Sequence, residues 1–327
     1  MATGVRHRRQ LAVEDRDGRD AFLAAESRLL ERYGLDVRTR WLDMTNPPRR
    51  IRAIEAGAGK PLVLLHGGVA GFAGIWAPLM ARMPDRRSIA LDLPGHGLSD
   101  PMASAIGDPS GLAIRRHRTQ AVDLLGSALD ALDIGSAVIG GNSIGGLWAL
   151  WLAIDRPERV ASVVLFGCPA LVLDAIPRWS LLGPIRRMLR HGPLSLDATR
   201  QVLSRVAGPH ALKAVADELV EAEHHAQALA GDRAAAVSLL ELSVRLGRHR
   251  QDLGVGEDDL RQVDRPVLLL WADRDRFGGL DVGRRVVDLL PAATLCALRG
   301  GHLPWLDAPA SCATAVERLL RRSVVSA

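Results

Sequence analysis

Lysine is almost missing from this 327-residue chain: Lys60 and Lys213 are the only two among 42 Lys and Arg residues. The arginines that carry the formal charge of +5 are scattered and interleaved with acids, as in EDRDGRD (14–20). The longest basic run, Arg6-His7-Arg8-Arg9, lies near the start of the chain and reads as a solvated tail. A basic face with interleaved aromatics is absent, which argues against a nucleic-acid partner. Cysteine is scarce too. Cys168, Cys296 and Cys312 form neither a paired framework nor a metal spacing, so no disulfide scaffold and no metal are expected, and the expected compartment is a reducing cytoplasm. Long apolar runs are also lacking. None approaches the roughly 18 residues needed to cross a bilayer, so no membrane partner is expected. The charged N-terminus has no apolar core of a secretory signal. Nucleotide motifs and internal repeats are not visible, and no cofactor is expected.

What is present is apolar material in short, solid runs. The chain is 48% hydrophobic, enough for one large domain with a substantial core. DAFLAAESRLLERYG (20–34) reads as a helix, with Asp20 as its cap, Phe22, Leu23, Ala25, Leu29, Leu30 and Tyr33 as its apolar stripe, and Gly34 at its end. The polar residues 1–19 are expected to fray. Alternation in 37–44 and 50–57, around Asn46-Pro47-Pro48, predicts an antiparallel hairpin. Continuously apolar strands are then expected at 61–68, 87–97, 136–141, 159–167, 263–275 and 293–301, with helices at 119–135, 144–157, 281–290 and 308–321. Strands that are solid apolar runs, alternating with helices, indicate a parallel α/β sheet. Residues 169–262 break the alternation. They show no convincing strand but several amphipathic stretches, at 179–190, 196–206, 209–229 and 232–247. The expected organisation is an N-terminal extension (1–36), a core (37–168 and 263–327) and an inserted helical cap (169–262).

Open parallel sheets bind ligands beyond the carboxyl ends of their strands. There the sequence places His66-Gly67-Gly68, Asp92 to Gly97, Gly141 to Gly146, Asp273 with Asp275, and Gly301-His302. Ser143 sits in G-x-S-x-G between a strand and a helix. This turn strains the serine backbone and uses the flanking glycines to keep neighbouring segments from colliding. The helix that follows supplies a positive dipole and free N–H groups, so the Ile144 N–H is one candidate oxyanion donor and Gly68 the second. His302 is the candidate general base. Asp273 and Asp275 compete to orient it.

The order Ser143, Asp275, His302, together with HGG (66–68), DLPGHGLSD (92–100), GNSIGG (141–146), LLLWADRD (268–275) and GGHLPWLDAP (300–309), resembles the α/β-hydrolase fold over roughly residues 37–321. The resemblance implies a mostly parallel eight-stranded sheet flanked by helices, with an inserted helical cap. It favours Asp275, because Trp271-Ala272-Asp273-Arg274-Asp275 is similar to a W-G-x-x-D ending. The family's other acid position offers only Cys168 and Pro169. His66, His96 and Asp92 are expected to tie down turns rather than to react. His224-His225 is read as a solvated helix face.

A serine at the elbow argues against the aspartate-nucleophile relatives of this fold. The expected activity is that of a serine esterase, cleaving a small, largely apolar carboxylic ester, lactone or thioester. Gly-Asn-Ser-x-Gly-Gly also resembles the elbow of meta-cleavage product hydrolases, which cut carbon–carbon bonds and tend to carry a tryptophan after the catalytic histidine and a cap arginine for the substrate carboxylate. Here Leu303 follows His302. That resemblance makes Asn142 a candidate substrate contact. Trp76, Trp179 and Trp305 are candidate pocket walls, whereas Trp148 and Trp151 are expected in the core. Among the arginines at 178, 186, 187 and 190, Arg190 is the candidate carboxylate ligand. A reading of another class is a hydrolase-like ligand receptor. A homo-oligomer is compatible with all of these.

Overall fold

The chain alternates as its apolar runs predict. The computed structural model describes residues 2–45, 48–68, 71–102, 112–168, 192–208, 216–229, 231, 235, 244–245, 248–249 and 255–325. Helix α1 (Ala2–Arg32) leads into β1 (Arg38–Thr45) and β2 (Pro48–Ala56). Then come β3 (Pro61–Leu65), α2 (Ala77–Met80), β4 (Arg87–Leu91), α3 (Leu112–Ala131), β5 (Ala137–Asn142), α4 (Ile144–Asp155) and β6 (Val160–Phe166). The inserted segment contributes α5 (Leu196–Ala207), α6 (Asp217–Ala228), β7 (Val244–Arg245), β8 (Arg248–His249) and α7 (Glu257–Arg261). The chain closes with β9 (Val267–Ala272), α8 (Leu280–Leu289), β10 (Ala293–Leu298), α9 (Pro304–Asp307) and α10 (Pro309–Val325).

The main sheet has eight strands in the order β1-β2-β4-β3-β5-β6-β9-β10. β2 pairs antiparallel with β1 and β4, and every other pair is parallel. Strand side chains alternate between two cores. Val63, Leu65, Val163, Leu165, Leu269 and Trp271 join the residues of α3, α4 and α8. Their neighbours Leu62, Leu64, Val164, Phe166, Leu268 and Leu270 join α1, α2, α9 and α10. Burial on both faces is why these strands read as unbroken apolar runs. Trp148 and Trp151 lie in the first core, as their helical spacing predicts. The strand order reverses around β3, so the loops after β3 and β5 leave the sheet side by side, where a ligand site is expected.

Two local expectations need correction. Helix α1 starts at Ala2, so Asp20 lies inside it rather than capping it. The residues before Asp20 carry five arginines along with Ala2, Gln10, Leu11, Ala12 and Glu14, all good helix formers, and extend it. Gly34 does end the helix, in a Schellman turn: Gly34 N–H donates to Glu31 C=O and Leu35 N–H to Leu30 C=O. In the inserted segment, residue 235 is helical, as expected, but Val244–Arg245, near the end of the helix expected over 232–247, is strand β7, paired antiparallel with β8. Residues 232–234, 236–243 and 246–247 lie outside the described residues. The stretches expected at 179–190 and over 209–215 lie outside the described residues.

The N-terminal helix covers the core rather than projecting from it. Phe22, Ala25, Leu29 and Leu30 are buried in the second core. Glu26 goes in with them and meets the buried Arg52 of β2. The Arg52 guanidinium spans Glu26 Oε1 (3.2 Å) and Asp92 Oδ2 (3.1 Å), with Nη2 on Glu26 Oε2. On its outer side α1 reaches the inserted segment through Arg28–Glu221 (2.7 Å) and Arg32–Glu218 (3.5 Å), both partly exposed. Removing a buried cation strands its carboxylates in a dry site, at a cost of about 3–5 kcal/mol. Arg52→Met is therefore expected to lower the urea-unfolding free energy by about that amount, whereas a loss below about 1 kcal/mol would show the triad to be inert.

Candidate active site

β5 runs through Gly140-Gly141-Asn142 and turns into α4 at Ser143. Ser143 has φ 52° and ψ −115°, a backbone that L-residues avoid. Such a conformation costs on the order of 1–3 kcal/mol and persists only where its surroundings impose it. The surroundings are glycines. A side chain on Gly145 would overlap the Leu65 and His66 carbonyls at the end of β3, and one on Gly141 would overlap Gly145. The turn can therefore press against β3 only with glycine two positions before and two after the serine. The Ser143 hydroxyl does not cap α4. Cys168 donates its thiol to the Ser143 carbonyl at 3.1 Å and packs against Gly146. Burial and the nearby Asp275 charge push that thiol up, so it stays a protonated donor.

His302 lies on the loop between β10 and α9. Its Nδ1 is 2.9 Å from Asp275 Oδ2, and both side chains are buried. Asp275 Oδ1 accepts the Phe277 N–H at 2.9 Å, and the Phe277 ring packs 4.3 Å from the His302 ring. Asp273, the competitor, is exposed and bonds the Gly300 N–H instead (3.1 Å). A carboxylate on Nδ1 fixes the Nδ1–H tautomer and leaves Nε2 as an acceptor.

The loop after β3 completes the cluster. A methyl on Gly67 would lie 3.3 Å from Ser143 Cβ, which puts Gly67-Gly68 beside the serine. Gly68 is half-buried, and Ile144 opens α4. His66 is buried, with Nδ1 2.7 Å from the Gly67 carbonyl and Nε2 accepting the Leu93 N–H at 2.9 Å. Burial pushes it down to about 3, so it stays neutral. Both ring nitrogens are thus spent on backbone. Asp92 holds the next turn, accepting from Ala73 N–H (2.6 Å) and Leu98 N–H (3.0 Å). Its backbone carbonyl accepts the Ser99 hydroxyl at 2.6 Å.

Several candidate substrate contacts do not face a substrate. Trp76 and Trp305 have no exposed surface. They stack at 4.0 Å inside the second core, and Trp305 Nε1 donates to the Ile75 carbonyl at 2.8 Å. Large aromatic area makes them core material, despite their position near loops. The Asn142 amide is likewise turned inward. Its Nδ2 donates to the carbonyls of Phe166 (2.6 Å), Gly167 (3.2 Å) and His302 (3.0 Å). Trp179, Arg190 and the arginines at 178, 186 and 187 lie outside the described residues. His224 Nδ1 is 2.9 Å from the Leu194 carbonyl. Among the described residues no group of three or more His, Cys, Asp or Glu side chains is arranged to hold a metal ion. No helix among them is long and apolar enough to cross a membrane.

Sequence reading missed the Asn142 bonds, the Cys168 thiol and the Glu26–Arg52–Asp92 cluster. Only Arg52 left a signal, as a charged residue inside the alternating strand RIRAIEA.

The family described as alpha/beta hydrolase fold matches residues 60–309. A 2-hydroxy-6-oxo-6-phenylhexa-2,4-dienoate hydrolase of Burkholderia cepacia is 28% identical over 270 residues, covering 77% of this chain and 85% of the relative. A 2-hydroxy-6-oxononadienedioate/2-hydroxy-6-oxononatrienedioate hydrolase of Paraburkholderia phymatum is 31% identical over 261 residues, covering 77% and 84%. Among solved structures, the 2-hydroxy-6-oxo-6-phenylhexa-2,4-dienoate hydrolase of Rhodococcus sp. strain RHA1 superposes with TM-score 0.72 at 22% identity, over 88% of this chain and 99% of that one. Carboxylesterase CesB of Bacillus subtilis superposes with TM-score 0.69 at 17% identity, over 93% and 98%. With eight strands in this order, a strained serine after β5 and a matched family over most of its length, the chain belongs to the α/β-hydrolase family.

Proposed function

We propose that the protein is a serine hydrolase in which Ser143 attacks a carbonyl carbon, His302 carries the proton and Asp275 orients His302. The observation that carries this reading is the 2.9 Å contact between His302 Nδ1 and Asp275 Oδ2. It fixes the tautomer whose Nε2 accepts a proton, on a loop that Asn142, the residue before Ser143, holds by its carbonyl. As Ser143 Oγ bonds to the carbonyl carbon, its proton passes to His302 Nε2. Negative charge then builds on the carbonyl oxygen. The N–H groups of Ile144, at the positive end of α4, and of Gly68 receive that charge. The imidazolium returns the proton to the leaving group, and water repeats the sequence to free Ser143.

The substrate reading is a small-molecule carboxylic ester, lactone or thioester with a largely apolar body. Free cysteines, two of the three buried, fit a reducing cytoplasm. A second reading, carbon–carbon bond hydrolysis, is favoured by the names of the curated relatives, which act on 2-hydroxy-6-oxo dienoates. Two residues weigh against it here. Leu303 follows His302 where a tryptophan would be expected, and the Asn142 amide is already committed to backbone carbonyls.

The test is one comparison of kcat/KM on p-nitrophenyl butyrate and on a 2-hydroxy-6-oxo dienoate. The ester is expected to win by about tenfold or more, which corresponds to about 1.4 kcal/mol in the barrier. A reversed preference assigns the carbon–carbon bond. A single slow turnover of either, with Ser143 still reactive, assigns the receptor class.

A further inference from the structure

His302 is held at three points, and one belongs to the inserted segment. Its side chain is fixed by Asp275, and its carbonyl by Asn142 Nδ2 at 3.0 Å. Its backbone N–H donates to the Val206 carbonyl at 2.8 Å, and the preceding Gly301 N–H to the Ala207 carbonyl at 3.0 Å. Gly301 N–H also lies 2.9 Å from Asp307 Oδ2. Val206 and Ala207 form the last turn of α5, where helix carbonyls have no partner within the helix. Here the loop bearing the histidine satisfies two of them.

The fit depends on glycine on both sides. Gly208, just past α5, has φ +103°, and a Cβ there would sit 2.6 Å from the Gly301 nitrogen. A Cβ on Gly301 would in turn overlap the Ala207 carbonyl. Nothing about covering a substrate requires this backbone-to-backbone approach. It places the negative end of the α5 dipole at the histidine, where a positive charge is favoured.

We propose that the C-terminal turn of α5 is a positioning element for His302, so that the inserted segment sets the placement of the general base. This rests on His302 being the base. It implies that displacing α5 is read in kcat rather than in KM, because a base misplaced by about 1 Å can cost on the order of 10²-fold in rate.

The test uses Gly208→Val and the milder Gly208→Ala in the full chain, with Gln201→Ala, exposed on the same helix, as control. Gly208→Val is expected to lower kcat on a p-nitrophenyl ester about tenfold to hundredfold with KM within about twofold. The second-order rate of fluorophosphonate labelling of Ser143 should fall in parallel, while Gln201→Ala leaves both unchanged. A raised KM with kcat retained would overturn the proposal, as would no effect on either. If Gly208→Val does not fold, Gly208→Ala gives the same reading at smaller size. Hydrogen exchange on the wild-type protein is an independent check. The Gly301 and His302 amides should exchange together with the last turn of α5, and free exchange would overturn the proposal. Failure of the serine-hydrolase reading looks different, because wild-type Ser143 would then not label at all.

Discussion

Asp275→Asn is expected to lower kcat/KM by about 10⁴-fold while leaving the fold intact. The two Asp275 oxygens face different groups. Oδ2 lies on His302 Nδ1, and Oδ1 accepts the Phe277 N–H. Asparagine has one oxygen and one NH₂. If its oxygen keeps the Phe277 N–H, its NH₂ faces Nδ1 and can only donate. His302 must then present an unprotonated Nδ1, which moves the ring proton to Nε2. A protonated Nε2 cannot take the serine proton. The site keeps its shape and loses its base. Asp273→Asn is the matched control. Its Oδ1 accepts one backbone N–H from Gly300, which an asparagine oxygen can do equally well. Activity within about twofold of wild type is expected there. A larger loss from Asp273→Asn than from Asp275→Asn, on the same ester and at the same pH, would reassign the acid.

Ser143→Ala is expected to have the largest effect, a loss of about 10⁶-fold in kcat of ester hydrolysis. The remaining rate would come from substrate binding and from the Gly68 and Ile144 N–H groups, which alanine leaves in place. KM should change little, because the hydroxyl acts on the reacting carbon rather than on the bound body of the substrate. The same substitution removes no helix cap, since the Ser143 hydroxyl does not cap α4. Alanine must still adopt φ 52°, so its melting temperature should stay close to wild type. Retained ester hydrolysis at more than about a tenth of the wild-type rate would remove Ser143 from the mechanism.

The sequence carried the site because its parts are local. G-x-S-x-G encodes a strand, a strained residue and a helix within a few positions, and the strain at Ser143 needs only its own glycines and the end of β3. The sheet was legible for a similar reason. Solid apolar runs such as PLVLL and VLLLWA report burial on both faces without reference to any partner. Asp275 over Asp273 was different. Only the family resemblance favoured it, and the structural reason is that Asp273 faces the Gly300 N–H while Asp275 is turned inward.

What stayed hidden depends on contacts between distant segments. Asn142 stands next to Ser143 and was a candidate substrate contact, yet its amide binds three carbonyls from the end of β6 and from the His302 loop. Trp76 and Trp305 were candidate pocket walls because they lie near loops, but each completes the other's packing across 229 positions of chain. Glu26 is not part of the apolar stripe read from the helix sequence. Its place is set by Arg52, which the hairpin carries beneath α1. The contact of Val206 and Ala207 with the His302 loop is made by backbone atoms, so no side chain announces it.

The central claim is that Ser143 is a nucleophile activated by His302. It is tested most directly by treating the protein with a fluorophosphonate and locating the adduct by peptide mass spectrometry. The account predicts one adduct, on the peptide containing Ser143, formed rapidly in the wild type and slowed at least about 10³-fold in His302→Ala. An adduct on another residue, or labelling of Ser143 at the same rate without His302, would contradict it.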